Sequence, residues 1–383
     1  MRILFITMGY PSNKNRSRLV FLQRLVNEMV DLGHECTVIA PTKRFHFNEG
    51  STCYEEVQST NKNNRVHVYF PKYTCLYLTS RFKNDIFSDF SVQNYIDSVK
   101  KVINKEHIKF DCIYSHFVGT SAIAATTIGT YYKVPTFAAA GESEFKDFYN
   151  YDREKTITAL NKLTGIISVS TENKEILISN SVLDNSKIKV FPNGVDTNFF
   201  YPRDKEKSRE IFGFNKSDFI IGFVGHFIER KGPLRLQKSV THSDIKIAYA
   251  GKGEQVPVGN NIIFKESVSP IRMPDFLSSV DLFVLPTQNE GCCNSIIEAL
   301  ACGVPVISSN LAFNDDILDD TCSLRVDPNN INQIKNAIDT VFFDKNKYLL
   351  LKEGALKKGQ TLSLENRAIN IINWMQELME VNN

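Results

Sequence analysis

The 383-residue sequence has no C-x-x-C pair, no histidine near a cysteine at zinc spacing, no Asp-x-Asp and no Walker phosphate loop. It also lacks a G-x-G-x-x-G after either of its candidate opening strands. These absences argue against a structural zinc site, a carboxylate-held Mg²⁺ or Mn²⁺, a P-loop enzyme and a dinucleotide dehydrogenase. Long apolar runs are missing too. Met1 to Thr7 is apolar but is cut short by Gly9-Tyr10-Pro11, which makes it a first strand and not a signal-peptide core. Cys112 to Tyr132 is free of Lys, Arg, Asp and Glu, yet its Ser, Thr, Gly and Tyr content is too polar for a membrane span and reads as strand, turn and helix. The expected location is therefore cytoplasmic. The eight cysteines read as reduced thiols, with Cys112 and Cys302 as small core residues.

What is present describes a globular chain. Hydrophobic residues make up 42% and charged residues 23%, and the length suggests two domains of under two hundred residues each. The net charge of +2 is unevenly spread, because residues 1–110 hold sixteen Lys or Arg against ten Asp or Glu. A basic face on the first domain suits peripheral contact with an anionic membrane or an anionic acceptor; a scattered, solvated surface is the plain alternative. Nothing points to nucleic acid.

Strands alternate with helices from the start. Arg2 to Ile6, a helix from Leu19 to Leu32 closed by Gly33, and Cys36 to Ala40 form a βαβ opening. Further buried strands are expected at 112–115, 135–140, 165–170 and 187–191, with 41–83 as loops and short strands. A second series follows Asn193-Gly194-Val195-Asp196 and a linker-like segment from Pro202 to Lys207: 219–224, 246–250, 262–265, 282–285, 304–308 and 323–326. Two doubly wound parallel sheets result.

The densest chemistry lies at Glu290-Gly-Cys-Cys-Asn-Ser-Ile-Ile-Glu298, after the strand Leu282 to Leu285. Asn294 or Ser295 is a candidate N-cap for a helix ending at Gly303. N–H groups at such a start attract phosphate without a metal. Glu290, in the loop, can reach a sugar on that phosphate, and Glu298, one turn into the helix, can accept from a ribose diol. At Cys292 and Cys293 the backbone N–H groups matter more than sulfur, since no histidine accompanies them as a base. A second loop, Gly225-His226-Phe-Ile-Glu-Arg230-Lys231-Gly232, places Lys231 to meet a diphosphate. In the first domain, His116 ends a buried strand and Glu142 ends the next, in Gly-Glu142-Ser143-Glu144. Gly9 and Arg16 lie in the first loop, where Arg16 or Arg18 suits an acidic or phosphorylated acceptor.

The run Glu290-Gly, a polar pair, Glu298 and then Ala-x-Ala-x-Gly-x-Pro-Val resembles the donor-site motif of the retaining GT-B glycosyltransferases of family 4. Lys231-Gly232 aligns with that family's Gly-Arg-x-x-x-x-Lys-Gly diphosphate clamp, with His226 where arginine is usual and Arg230 nearby to supply charge. The Asn193-Gly-Val-Asp segment is similar to its entry into the second domain. His116 matches a histidine that faces the sugar, whereas Gly-Glu-Ser replaces the usual His-Gly-x-Asp. The resemblance implies an α/β fold with two Rossmann-like doubly wound domains facing across a cleft: an acceptor domain (1–190), a nucleotide-sugar domain (191–362) and a C-terminal helix (363–383) crossing back. It implies retaining transfer of a hexosyl group from a nucleoside-diphosphate sugar, a UDP-sugar favoured, to a glycan or lipid-linked acceptor in surface polysaccharide synthesis, with no metal and no cofactor. Glu290, Lys231 and His116 would be catalytic, and Gly225, His226, Arg230, Cys292, Cys293, Asn294, Ser295 and Glu298 would hold the donor. Gly9, Arg16 and Glu142 would lie on the acceptor side. Attachment would be peripheral, on the inner face of the cell membrane. The alternatives are a catalytically silent relative serving as an assembly subunit, or a sugar-nucleotide epimerase.

Overall fold

The computed structural model describes residues 1–44, 51–75, 85–142 and 153–381. Ten strands come first: β1 (Arg2–Thr7), β2 (Glu35–Ile39), β3 (Thr42–Lys43), β4 (Glu55–Ser59), β5 (Arg65–Tyr69), β6 (Lys72–Tyr73), β7 (Cys112–His116), β8 (Thr136–Ala140), β9 (Gly165–Ser168) and β10 (Ile188–Val190). Eight of them form a sheet in the order β10-β9-β8-β7-β1-β2-β5-β4, and β3 pairs with β6. The large sheet is parallel throughout except where β4 turns back antiparallel along β5. All five positions of β7 and of β8 are buried, as expected of parallel strands covered on both faces. The Cys112–Tyr132 stretch resolves into β7, a turn and the helix Thr120–Tyr132.

A second series follows: β11 (Phe219–Val224), β12 (Ile245–Ala250), β13 (Ile262–Glu266), β14 (Leu282–Leu285), β15 (Val306–Ser309) and β16 (Ser323–Val326). They form a wholly parallel sheet in the order β13-β12-β11-β14-β15-β16. The order reverses between β11 and β14, which makes the loops at their carboxyl ends the natural ligand position. Both loops hold candidate residues.

The chain divides into two units, Met1–Phe191 with Ala368–Asn383, and Pro192–Arg367. In the first unit Trp374, from the helix Leu364–Val381, packs on Phe137 and Phe191 at centroid distances of 6.3 and 5.7 Å. In the second, Pro202–Lys207 is not a linker. Asp204 caps the helix Lys205–Phe212 by accepting from Lys207 N, and Arg203 donates to Asp275 at 2.7 Å. The charged, proline-bearing composition that looked solvated is consumed by capping and ion pairing. Among the described residues no helix is long and apolar enough to cross a membrane.

Candidate active site

Chain geometry brings the two second-unit motifs into direct contact. β11 ends at Val224, and the 3₁₀ turn Glu229–Lys231 carries the chain into the helix Pro233–Ser239. Gly232 joins them at φ +75°, and a Cβ there would lie 2.8 Å from the Pro286 carbonyl oxygen, so a larger residue is excluded by both conformation and space. Gly251 is constrained by space, since a Cβ on it would fall 1.9 Å from the Gly225 carbonyl oxygen. These contacts hold the β11 loop against the ends of its neighbouring strands.

Glu290 follows β14, with its side chain 12% exposed. Its Oε1 accepts from Arg230 Nη1 at 2.7 Å and from Thr287 Oγ1 at 3.1 Å, and Lys231 Nζ pairs with the same oxygen. Arg230 Nη1 also donates to the Asn289 carbonyl, and Gln288 N donates to the Arg230 carbonyl at 2.9 Å. A carboxylate with two cations on one oxygen is a poised charge cluster. Its single negative charge offsets only one of the two positive ones, so the cluster keeps a net positive charge. Gly225 lies alongside: a Cβ on it would sit 3.7 Å from Lys231 Cδ. The His226 side chain is exposed, and only its backbone carbonyl is engaged, by Ile228 N at 2.9 Å.

The helix expected from the second motif spans Asn294–Ala301 and closes through Gly303 at φ +70°. Its cap position is Cys293, not Asn294 or Ser295, and no side chain caps it. Asn294 is drawn elsewhere, because its Oδ1 accepts from Asn193 Nδ2 at 2.9 Å. The first N–H groups of such a helix have no intrahelical acceptor and carry partial positive charge. Asn193 N also donates to Cys292 Sγ at 3.3 Å, so the Asn-Gly turn that read as a marker of lineage is a strut for this helix start. Burial pushes the Cys292 thiol up to about 12 and raises Cys293, which leaves neither as a thiolate nucleophile. Glu298 sits on the second turn, partly buried.

Sequence reasoning missed Arg235. It is 9% exposed, donates to the Pro286 carbonyl at 2.9 Å and the Arg230 carbonyl at 3.3 Å, and pairs with Glu229 at 2.6 Å. Burial lowers its guanidinium below the ordinary value against the opposing pull of Glu229. Nothing in the string distinguishes it from a solvated helix arginine. Thr287, fully buried, was equally silent.

In the first unit Gly9, His116 and Glu142 lie at the carboxyl ends of the adjacent strands β1, β7 and β8. His116 is 3% exposed, its ring 5.2 Å from Phe21 and 4.5 Å from Phe117 between centroids. Glu142 Oε1 accepts from Val118 N at 2.7 Å, ahead of the helix Thr120–Tyr132, so one of its oxygens has a structural task that the acceptor role did not foresee. Gly9 is overlain by Arg18, whose Nε would lie 2.2 Å from a Cβ there, while Arg16 is exposed. Ser143 and Glu144 lie outside the described residues.

Two parallel-sheet units of this build, with a phosphate-suited charge cluster at the switch point of the second, define a GT-B glycosyltransferase. The HepE protein of Anabaena, solved in complex with UDP-glucose, has the same fold: TM-score 0.73 at 15% identity, over 98% of this chain and 100% of that one. The chain belongs to the glycosyltransferases of this fold, matching the Glycosyltransferase Family 4 model over residues 20–199 and the Glycosyl transferases group 1 model over 204–358. It is similar to the putative teichuronic acid biosynthesis glycosyltransferase TuaC of Bacillus subtilis, at 24% identity over 88% of both chains. It is also similar to the UDP-Gal:alpha-D-GlcNAc-diphosphoundecaprenol alpha-1,3-galactosyltransferase of Escherichia coli, at 27% identity over 65% of this chain and 70% of that one. Such relatives place it among the glycosyltransferases of polysaccharide biosynthesis.

Proposed function

We propose that this chain moves a hexosyl group, with retained anomeric configuration, from a nucleoside-diphosphate sugar to a hydroxyl of a glycan or lipid-linked glycan acceptor in surface polysaccharide synthesis. A UDP-sugar is favoured as donor. The observation that carries the reading is the convergence of Arg230 and Lys231 on Glu290 beside the start of the helix Asn294–Ala301. In this reading the two cations and the helix N–H groups neutralise the diphosphate as the glycosidic bond breaks, and they supply that charge without a metal. Glu290 Oε1 already serves its three donors, which leaves Oε2 to accept from a sugar hydroxyl. Glu298 accepts from the ribose. His116 enters through the family resemblance, as the residue facing the sugar. The acceptor hydroxyl loses its proton to the leaving phosphate in the same-face course that the resemblance favours. Peripheral attachment through the basic first unit, on the inner face of the membrane, belongs to the same proposal.

Support for the donor class comes from the UDP-glucose complex of HepE, and for the acceptor class from the diphosphoundecaprenol substrate in the name of the Escherichia coli relative. The test is incubation with a panel of nucleotide sugars and diphosphoundecaprenol-linked acceptors, following nucleotide release and glycan product with and without EDTA. The expected result is release with a UDP-sugar at a rate that chelator leaves nearly unchanged. No release from any donor would favour the silent relative, and activity restored only by divalent ions would overturn the charge-neutralisation argument.

A further inference from the structure

The Pro202–Lys207 segment carries chemistry that the donor site does not use. A cleft of 60 Å³ opens at the amino-terminal end of the second sheet, lined by Arg203, Lys205, Asp281, Tyr348 and Lys352 among others. A single water needs roughly 10–15 Å³ of such space, so there is room for one tetrahedral oxyanion. Asp281 is fully engaged: Oδ1 pairs with Lys205, and Oδ2 accepts from Arg209 Nη2 and Ile220 N, each at 2.7 Å. Arg203 pairs with Asp275 at 2.7 Å. Arg203, Lys205, Arg209 and Lys352 thus stand against Asp275, Asp281 and, within electrostatic reach of the lining residue Cys302, Glu298, which leaves the walls a positive excess. Consistently, the Lys205 amine lies below its ordinary value, through burial first and then through repulsion from Arg209 and Lys352, against the lift from Asp281. Burial pushes the Tyr348 hydroxyl up to about 12, so it remains a donor at neutral pH.

From these groups we propose that the cleft is a phosphate-class oxyanion site held by Arg203, Lys205, Lys352 and the Tyr348 hydroxyl. It lies at the opposite ends of β11 and β14 from the Lys231–Glu290 cluster, at least about 13 Å away by the rise of a four-residue strand. The proposal stands whether or not the donor reading does. Two sources of the phosphate share this chemistry: free phosphate, and a phospholipid headgroup whose chains would meet Leu349 and Leu350, 49% and 65% exposed on the same helix as Lys352.

The experiment uses the full chain carrying Lys231→Ala, which removes the donor-site lysine as a competing phosphate ligand. Inorganic phosphate is titrated by calorimetry into this protein and into the double variant that adds Lys352→Glu, an exposed change that leaves the fold intact. The expected result is millimolar binding that the second change weakens roughly tenfold or more. Cosedimentation with phosphatidylglycerol and with phosphatidylcholine vesicles forms the second arm. A severalfold loss on the anionic vesicles with Lys352→Glu identifies the headgroup as the source, and a loss confined to the phosphate titration identifies free phosphate. Equal behaviour of both proteins in both arms, or no binding of either ligand, overturns the proposal.

Discussion

Replacing Glu290 and Glu298 one at a time by glutamine separates their roles, because the two carboxylates sit in different charge environments. Glu290→Gln keeps the shape but removes the charge on which Arg230 and Lys231 converge. At an effective dielectric of about 20 a pair of unit charges 4 Å apart is worth ~4 kcal/mol. Arg230 is 34% exposed, so water screens much of that. A net destabilisation of about 1–2 kcal/mol follows, seen as a fall of ~2–8 °C in Tm. Binding of a free nucleoside diphosphate should be unchanged or up to about tenfold tighter, since the anion no longer shares its cations with a carboxylate. Transfer should suffer, because a charge-assisted bond to the sugar is worth about 1.5–3 kcal/mol, or ~10–150-fold in kcat/KM. Glu298→Gln should weaken nucleoside diphosphate and full donor alike, by about the same energy. Calorimetry with UDP and a UDP-sugar on both variants, beside initial-rate assays, reads all of this. Equal weakening of UDP binding in the two variants would refute the separate assignment.

Lys231→Ala should cost on the order of a hundredfold in kcat/KM, because its charge acts most as the diphosphate leaves; an unchanged rate with the preferred donor would count against it. His226→Arg should tighten nucleotide binding, because arginine stays charged and binds phosphate through two N–H groups, whereas weaker binding would mean that the exposed ring faces away from the diphosphate. Asp281→Asn removes the carboxylate from Arg209, which is 3% exposed but keeps carbonyl acceptors at Ser279, Asn215, Lys216 and Asp218, and should destabilise by ~1–3 kcal/mol, visible as a drop in Tm; a loss within 1 °C would show that the pair is idle. Burial raises the Cys112 and Cys302 thiols from 9.0 to about 12, so the folded protein keeps protons that the unfolded chain releases. That stability is complete below pH 9 and is lost as pH rises toward 12, by up to ~1.4 kcal/mol per pH unit per thiol. Thermal melts from pH 8 to 11 should show the fall, and Cys302→Ala should make it shallower.

Much of the fold was readable because buried parallel strands are short apolar runs bounded by glycine and polar residues. β11, β14 and β16 coincide with the expected spans, and most of the other expected strands shift only at their ends. Glu290 and Lys231, each singled out by its local string, do meet in an ion pair. What stayed hidden depends on where the chain returns in space. Arg235 takes its importance from a carbonyl 51 positions away, and no spacing rule reaches that far, whereas Thr287 bonds Glu290 only three positions on but carries no local signal of it. The helix cap was misplaced because Asn294 has a competing partner in Asn193, 101 residues earlier. Nor could the sequence show that Val118 N would claim one oxygen of Glu142.

The first unit takes its last element from the far end of the chain, where Ala368–Asn383 supplies Trp374 to pack beside β9. During synthesis β9 therefore leaves the ribosome with its apolar surface uncovered. The gap spans translation of the entire second unit, on the order of ten to thirty seconds at ~5–20 residues per second. The second unit is continuous and can close its core as soon as it emerges. In the order of birth and completion, the half of the enzyme made first is finished last, and a nascent chain stalled before Ala368 would expose that surface to chaperones and proteases.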